Sequence, residues 1–339
     1  MSVISQRPGV YSRYTVSLAA GRAVPKGAAL VAAKGSAEEK SRLDSFSSLS
    51  ALKGWEGFRE DSPCHQAGAL LLEQGVGKVY LFTVEEDYAP SVAAAEKLWD
   101  IGAVVTDCTQ KEVLRQFAQE ARELSGSQLG RAVFSGAETV EDSLRLAEET
   151  ASSRCCLCYP PMERKGEKKS LYTAAAFAAR VLTLESPAYT LNWMELEGVT
   201  CPDSPTEEEV NQLILGGVTP FENWQGKVQC IRAVTTGVHR EQGMKSLNTL
   251  LIVDHVMAYL RENLTALLKS GRGKPLGGEA IASQAAVLLS NKQDEGLLTA
   301  FEPPTVSASP EDPTLCILRV GFQAATVVDI IRIDAAVRI

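Results

Sequence analysis

Several features that would assign the chain to a familiar class are missing. No apolar run approaches the roughly 20 residues of a membrane-spanning helix, and the first eight residues, MSVISQRP, lack the apolar core of a signal peptide. The formal net charge of -8 is the opposite of the basic excess expected of a nucleic-acid-binding protein. These absences predict a protein made in the cytoplasm that neither binds nucleic acid nor inserts into a membrane.

Metal-binding and redox motifs are also missing. Cys155, Cys156 and Cys158 form a C-x-x-C pattern, but a zinc site needs four ligands, and no second pair or neighbouring histidine accompanies them. The pattern lies inside a predicted strand, which favours buried free thiols over a redox site. The three histidines are scattered: His65, His239 and His255. We therefore expect no metal and no cofactor, and we expect His255 to be a packed side chain of a long helix.

Nucleotide and hydrolase motifs fail on their spacing. Residues 271–274, Gly-Arg-Gly-Lys, follow a predicted helix and lack both the spacer and the hydroxyl residue of a phosphate-binding loop. Gly75 and Gly77 precede a strand, the wrong order for a dinucleotide fingerprint. No Gly-x-Ser-x-Gly elbow is present. The motifs thus predict no catalytic residue.

Both ends of the chain have the pattern of an isolated β-strand. Near the carboxyl end every second residue is apolar, the period of a strand with one buried face: Ile331, Ile333, Ala335, Val337 and Ile339. Residues 9–18 are β-prone, follow Pro8 and have no hairpin partner close in sequence. An unpaired strand either joins the sheet of its own domain or pairs with a neighbouring subunit. Two such strands favour the second arrangement.

The region from residue 27 to residue 184 alternates short apolar strands with amphipathic helices. Strands are predicted at 27–33, 78–83, 103–106, 131–134 and 154–159, and helices at 90–99, 111–124, 138–151 and 171–184. Surface segments with one short helix are expected over 35–62, and a surface loop over 160–169. This pattern is typical of a largely parallel sheet covered on both faces. The predicted fold class is α/β.

The second half predicts a smaller α/β domain. Thr206 and the three glutamates after it form a capping box that begins a helix, and Gly216 ends that helix. Further predicted elements are a connection over 185–205, a hairpin over 218–235, helices over 247–269 and 279–293, a loop over 302–313, and strands over 315–323 and 327–339.

These segments resemble the sheath proteins of contractile phage tails and related contractile particles. Residues 7–11, Arg-Pro-Gly-Val-Tyr, are similar to the Pro-Gly-Val-Tyr opening common in that family. Residues 206–220 are similar to the helix and glycines that begin its C-terminal domain, and residues 228–260 and 315–339 to its strand, long helix and closing strands. Where the family often has Trp-Gly-Ala-Arg-Thr, this chain has Cys-Ile-Arg-Ala-Val-Thr at 230–235, so no role is transferred to Arg232.

The resemblance implies a structural, non-enzymatic subunit without metal or cofactor. Such subunits stack as hexameric rings into a six-start helical sleeve around an inner tail tube, and contraction reorients them. The implied partners are copies of itself, the tube protein, and the baseplate and tail terminator proteins. The implied location is the bacterial cytoplasm on synthesis, and later the tail of a phage, an R-type bacteriocin or another contractile injection system.

The resemblance also implies a division of the chain. Residues 1–20 and 327–339 are arms that add strands to adjacent subunits; residues 21–200 form an α/β middle (outer) domain; residues 201–326 form the inner, tube-facing core, completed by the exchanged strands. The contact residues of the C-terminal arm are the five apolar residues given above. Those of the N-terminal arm are Pro8, Gly9, Val10, Tyr11, Tyr14 and Val16.

A basic cluster is the candidate surface for the tube. Salt-sensitive charge pairs suit an interface that must hold during assembly and release afterwards. The candidates are Lys269, Arg272, Lys274 and Lys292. The competing interpretation is a solvated helix end whose cations suit the helix dipole.

Two other functions remain open from the sequence. One is an α/β enzyme with its site at the carboxyl ends of the strands at 78–83, 103–106 and 131–134, where Asp107 and Glu138 would be the leading polar groups. The other is a different tail component, such as a terminator or baseplate protein, which would form rings and no open helices.

Overall fold

The computed structural model describes residues 27–36, 39–126, 129–241, 244–270, 277–308 and 316–326. Both predicted arms, with all their contact residues, lie outside the described residues, as do Arg272 and Lys274. Among the described helices, none combines the length and the apolar character required to cross a membrane.

The described chain forms nine α-helices and fifteen strands. The helices are α1 (Leu49–Lys53), α2 (Pro63–Glu73), α3 (Ala89–Lys97), α4 (Lys111–Leu124), α5 (Val140–Thr150), α6 (Ser170–Thr183), α7 (Glu207–Leu215), α8 (Leu247–Ser270) and α9 (Gly278–Asp294). The strands are β1 (Ala28–Lys34), β2 (Arg42–Phe46), β3 (Val79–Val84), β4 (Ile101–Thr106), β5 (Ala132–Gly136), β6 (Cys155–Tyr159), β7 (Met162–Arg164), β8 (Glu167–Lys169), β9 (Glu195–Leu196), β10 (Val218–Trp224), β11 (Lys227–Cys230), β12 (Leu298–Phe301), β13 (Thr305–Ala308), β14 (Cys316–Arg319) and β15 (Phe322–Ala324).

The main body is a nine-stranded sheet in the order β2-β3-β1-β4-β5-β6-β10-β11-β9. Strands β3, β1, β4, β5, β6 and β10 are parallel, whereas β2, β11 and β9 pair antiparallel at the two ends. Since the chain adds β3 on one side of β1 and β4 on the other, the direction of winding reverses between β1 and β4. This is a doubly wound α/β arrangement, as the strand-helix alternation predicts.

Helices cover both faces of this sheet, which explains why its central strands are apolar throughout. In β1, Ala29, Val31 and Ala33 belong to a core shared with α1, α2, α6 and the start of α8. Ala28, Leu30 and Ala32 point to the other core, shared with α3, α4, α5 and α7. Six of the seven β1 residues are buried. A strand buried on both faces has no polar side and carries a continuous apolar run.

A smaller region follows the sheet. Helices α8 and α9 pack together around Ile252, Val256 and Leu289, and the strands β12 to β15 lie against them. The first turn of α8 packs into the core of the main sheet, with Leu247 and Leu250 buried there. Helix α8 therefore contributes to both regions.

Most predicted elements are confirmed, and several are wrong. Helix α4 has the predicted bounds, the capping box of Thr206 and Glu209 is formed, and β6 is a buried strand. The surface region 35–62 contains the unpredicted strand β2, and helix α2 was not predicted because its residues 64–72 are all buried and leave no polar face. Strands β7 and β8 replace the expected loop at 160–169, and β13 falls inside the expected loop at 302–313.

The sheet also extends past the predicted domain boundary. Strand β10 pairs parallel with β6, and β11 pairs antiparallel with β10 and β9. Strands from the segment assigned to residues 201–326 therefore complete the sheet of the segment assigned to residues 21–200. A boundary near residue 200 does not coincide with an edge of this sheet.

Candidate assembly interface

The last four strands form two antiparallel pairs, which we call the C-terminal ribbon (residues 298–308 and 316–324). Strand β12 pairs antiparallel with β15, and β13 with β14. Between these two ladders the Glu302 amide donates to the Gly321 carbonyl at 2.8 Å. Pro303 and Pro304 lie between the two ladders. Proline has no backbone N–H group to donate to a ladder. The ribbon is thus a two-stranded sheet interrupted once.

The C-terminal ribbon is much less buried than the main sheet. Among its residues only Leu298 is buried, and β13, β14 and β15 contain none. Its apolar residues are half-exposed, including Phe301, Val306, Ile317 and Phe322. Two strands alone are marginally stable, and a third strand or a covering layer is needed for independent stability. Helices α8 and α9 cover part of the ribbon, and no third strand of the described residues pairs with either of its edges.

The two ends of the described chain leave from different elements. At the amino end, Gly27 passes so close to Gly102 that a Cβ on Gly27 would lie 2.5 Å from the Gly102 nitrogen. The next amide, that of Ala28, donates to the Asp100 carbonyl at 2.7 Å. At the carboxyl end, the Ala325 amide donates to the Leu297 carbonyl at 2.8 Å, which extends the ribbon by one residue before Thr326.

A buried ion pair fixes α8 to the main sheet. Both guanidinium NH groups of Arg154 donate to the Asp254 carboxylate, one of them at 2.8 Å. The two side chains are only 11% and 14% exposed. A Cβ on Gly130 would overlap Asp254, so glycine is required for this close approach. Arg261, farther along α8, donates to the Ser125 carbonyl at 2.8 Å. Nothing in the sequence pattern indicated this joint.

The predicted tube-binding cations do not form a single described surface. Lys269 is exposed in the last turn of α8. Lys292 is 5% exposed. Its Nζ lies 2.7 Å from a Glu295 carboxylate oxygen and 3.9 Å from the ring centre of Tyr259. Lys292 was chosen as a surface cation, and this is wrong because its charge is neutralised inside the subunit.

The polar groups of the enzyme hypothesis have structural partners. Asp107 lies beside β1 and β4, where the winding reverses, as the strand pattern predicts for a ligand site. Its carboxylate accepts a hydrogen bond from the Tyr88 hydroxyl at 2.6 Å and one from the Lys34 amide at 3.1 Å. Burial raises the pKa of Asp107, although these hydrogen bonds oppose the shift. Glu138 accepts a hydrogen bond from the Ser170 amide at the start of α6.

The three cysteines of β6 and His255 have the packed environments predicted for them. Cys155, Cys156 and Cys158 are buried in β6, and burial raises the pKa of Cys155 and Cys158. His255 is half-buried in α8, where burial lowers its pKa. Among the described residues no cluster of His, Cys, Asp and Glu has the arrangement to hold a metal ion.

No protein family model and no curated protein matches the sequence. Among solved structures, the contracted helical sheath of the anti-feeding prophage aligns with 98% of this chain and 99% of that chain, with a TM-score of 0.71 and 13% identity. The chain has the fold of a contractile tail sheath protein. The resemblance seen in the sequence is therefore confirmed at the level of the fold.

The sheath fold recurs in other structures similar to this chain. A sheath tail protein of Desulfitobacterium hafniense has a TM-score of 0.62 at 10% identity and aligns over 93% of this chain and 100% of that chain. One of Listeria innocua has a TM-score of 0.64 at 10% identity, over 90% and 96%. A chain of the anti-feeding prophage baseplate has a TM-score of 0.67 at 15% identity, over 99% and 100%.

Proposed function

We propose that this protein is a structural subunit of a contractile tail sheath, polymerising as a six-start helical sleeve around an inner tube. The observation that carries the proposal is the alignment with a helical sheath over 98% of this chain and 99% of that one. The match covers nearly the full length of both chains, so the proposal is supported by the whole fold and does not depend on one shared region. Contraction then drives the tube through a target envelope, and the subunit has no enzymatic role.

The exposed edges of the C-terminal ribbon support a role for the terminal arms. A strand added to either edge would pair backbone groups that are open in the described chain and would cover the half-exposed apolar residues. We propose that residues 1–20 and 327–339 supply such strands to adjoining copies. One arm alone binds weakly, because ordering its backbone offsets most of the gain from burial. Many arms in a closed ring act together and hold the lattice.

Deletion of residues 327–339 tests this role of the arm. The deleted chain should fold as a monomer, since all nine strands of the main sheet lie within residues 28–230, but it should form no sleeves in negative-stain electron microscopy. The full-length chain under the same conditions is the control. Sleeves formed by the deleted chain would contradict the role of the arm.

We further propose that contraction releases free energy stored at assembly and needs no nucleotide. The extended sleeve would be a kinetically trapped state, and rigid subunits would reorient into better packing while the arms stay paired. Calorimetry during triggered contraction should record an exotherm. Contraction without heat release would count against stored energy.

The proposed tube-facing surface is the end of α8, with Lys269, Arg272 and Lys274; the buried Lys292 is no longer included. Reversing the charge of Lys269 should weaken tube binding most at low salt, because salt screens such pairs. Reversal of the charge of Lys227, exposed at the start of β11 in the main sheet, is the control. Equal tube binding by the two variants would favour a merely solvated helix end.

A second candidate is a baseplate or other ring-forming tail component. The match to a baseplate chain of the anti-feeding prophage favours it, with a TM-score of 0.67. Negative-stain microscopy of the purified protein separates the two, since a sheath subunit gives long tubes and a ring component gives closed rings. An enzyme, the third alternative, would be active as a small particle. Its two leading polar groups, Asp107 and Glu138, accept hydrogen bonds from Tyr88 and from the Ser170 amide within the fold.

A further inference from the structure

The loop between α6 and β9 displays two large aromatic side chains. Tyr189 is 54% exposed and Trp193 is 57% exposed. Trp193 also has a backbone φ of +60°, in the left-handed region that bulky residues rarely adopt. Such strain persists only where the surroundings impose it, and it is concentrated at functional sites. The exposed indole of Trp193 therefore carries both a conformational cost and an unburied apolar surface.

Helix α8 fixes the first part of this loop. The Asn248 side chain is buried, and its Nδ2 donates to the Tyr189 carbonyl at 2.7 Å. Its Oδ1 accepts from the Leu191 amide at 3.2 Å. One buried side chain thus holds the backbone from the Tyr189 carbonyl to the Leu191 amide, directly after the exposed Tyr189 ring.

The edge of the main sheet fixes the second part. The Trp193 amide donates to the Cys230 carbonyl at 2.6 Å, at the end of β11. The neighbouring Asn192 is buried, and its Oδ1 accepts from the Ala233 amide at 3.1 Å. The loop is therefore rigid before any partner arrives, which lowers the conformational entropy lost on binding.

The composition of the loop suits the centre of a protein interface. Residues 186–194 read Ser-Pro-Ala-Tyr-Thr-Leu-Asn-Trp-Met and contain no charged side chain. Interface centres are depleted in charge and enriched in aromatic residues and Met. Trp and Tyr are also the residues most often found to dominate binding free energy.

The loop borders the place where the described chain ends. A cleft of about 570 Å³ is lined by Tyr189 from the loop, Ile252 from α8, and Ala325 and Thr326 from the end of the ribbon. The last described residue before the segment 327–339, Thr326, therefore lies beside the aromatic loop. A partner that binds the segment 327–339 near its start would therefore lie close to the aromatic loop.

We propose that Tyr189 and Trp193 form a docking surface for a second copy of this chain. The inference rests on the proposed function, in which an adjoining copy takes up residues 327–339. Since that segment starts in the cleft beside Tyr189, an adjoining copy held by it is brought against this uncharged aromatic surface. The two rings then become buried between copies, and the strained Trp193 backbone keeps its ring in the docking orientation.

The test compares assembly with stability in two variants of the full-length chain. Trp193→Asn removes the ring, and Asn tolerates the left-handed conformation. Tyr189→Ser removes the other ring and keeps the Tyr189 carbonyl contact with Asn248. Sleeve formation is followed by sedimentation and negative-stain microscopy over a concentration series with tubes of the same particle, and stability by the thermal midpoint.

Each variant should need at least about tenfold more protein to form sleeves, as expected on losing one dominant aromatic contact. The thermal midpoint of the Trp193→Asn monomer should be unchanged or higher, since a strained conformation is relieved. Trp224→Thr is the matched control, because Trp224 is 58% exposed at the far end of β10. It should assemble at the parental concentration.

Three results would overturn the inference. Either loop variant could assemble at the parental concentration, or Trp224→Thr could be equally impaired. Loop variants whose sleeves form normally but do not attach to a baseplate would show that the loop binds the baseplate and not a second copy of this chain. Failure of the proposed function is distinguishable, because the parental chain itself would then form no sleeves.

Discussion

The main sheet and the C-terminal ribbon differ in how far their strands are buried. In β1, six of seven residues are buried between two helical layers, whereas β13, β14 and β15 bury none. The outer strands of the main sheet are also poor templates for another strand: β2 carries the charged pair Arg42 and Asp44, and β9 has two residues. One region is self-sufficient, and the other has edges suited to pairing.

Under the proposed function the subunit must fold alone and then polymerise, and the difference between the two regions suits both requirements. A self-sufficient sheet allows a folded monomer to accumulate, because its strands are already paired and covered. An incomplete ribbon confines strand addition to a single place, so copies join in a defined way. The comparison predicts that substitutions in the sheet act on folding and substitutions in the ribbon act on assembly.

The largest effect is expected for Phe177, a core phenylalanine of α6 that packs on the main sheet. Phe177 is fully buried and contacts Phe134 and Phe221 edge-on, with ring centres 5.9 and 5.1 Å apart. Phe177→Ala should lower the free energy of unfolding by about 3–5 kcal/mol. Phe322→Ala in the ribbon should lower it far less and should impair sleeve formation instead. Chemical denaturation and negative-stain microscopy of both variants check this, and similar losses of stability would remove the distinction.

A buried ion pair of the main sheet should come next. Arg131 is buried, donates to the Ala95 and Leu98 carbonyls at 3.1 and 2.8 Å, and pairs with Glu120. Arg131→Met leaves the Glu120 carboxyl buried without its cation, and should cost about 3–5 kcal/mol of unfolding free energy.

The control for this pair lies in the smaller region. Lys292→Met removes a buried cation, but its partner Glu295 is 51% exposed and remains solvated, so the cost should stay below about 1 kcal/mol. Urea denaturation of the two single variants provides the comparison. A Lys292→Met variant as unstable as Arg131→Met would show that the smaller region depends on its charges as strongly as the sheet.

A smaller, pH-dependent effect is expected at His65. This imidazole is buried, with Nδ1 accepting from the Arg59 amide at 3.0 Å and Nε2 lying 3.2 Å from a Glu39 carboxylate oxygen. Burial lowers the pKa of His65 below its usual 6.5, although Glu39 opposes the shift. The unfolded chain then binds the proton first as the pH falls.

The stabilising contribution of neutral His65 is therefore complete above about pH 6.5 and is lost as the pH decreases below it. His65→Gln should flatten the decline in unfolding free energy between neutral pH and mild acid. Denaturation at several pH values, with His239→Gln at an exposed histidine as the control, measures this slope. An unchanged slope in the His65→Gln variant would contradict the assignment.

The smallest perturbation is thiol labelling, which needs no substitution. Cys316 in the ribbon is exposed, whereas the other seven cysteines are buried, and burial raises the pKa of the Cys108 thiol to about 11. A thiolate-selective reagent should modify one thiol per folded monomer, since the thiolate is the reactive form. Peptide mapping should locate the label at Cys316, with denatured protein as the eight-thiol control. Rapid labelling of a main-sheet cysteine would show that the sheet opens easily.

Local sequence patterns predicted the elements whose identity depends on short-range periodicity. The bounds of α4, the capping box at Thr206, and the buried strand around Cys156 follow from spacing, capping and apolar runs. Helix α2 was not predicted because burial on all sides removes the amphipathic pattern. Strand β2 was not predicted because its largely exposed residues show no regular apolar pattern. The assembly residues on the arms remain predictions, since they lie outside the described residues.

The sequence by itself determined the alternation of strands and helices, and hence the α/β class, because periodicity and capping act between residues close in the chain. Only the tertiary structure decided that β10 extends the sheet beside β6, that Lys292 pairs with Glu295 over the Tyr259 ring, and that Trp193 is exposed in a strained conformation. Each of these outcomes depends on contacts between segments that are far apart in the sequence. Pairing, burial and strain are therefore settled by packing, after the local elements have formed.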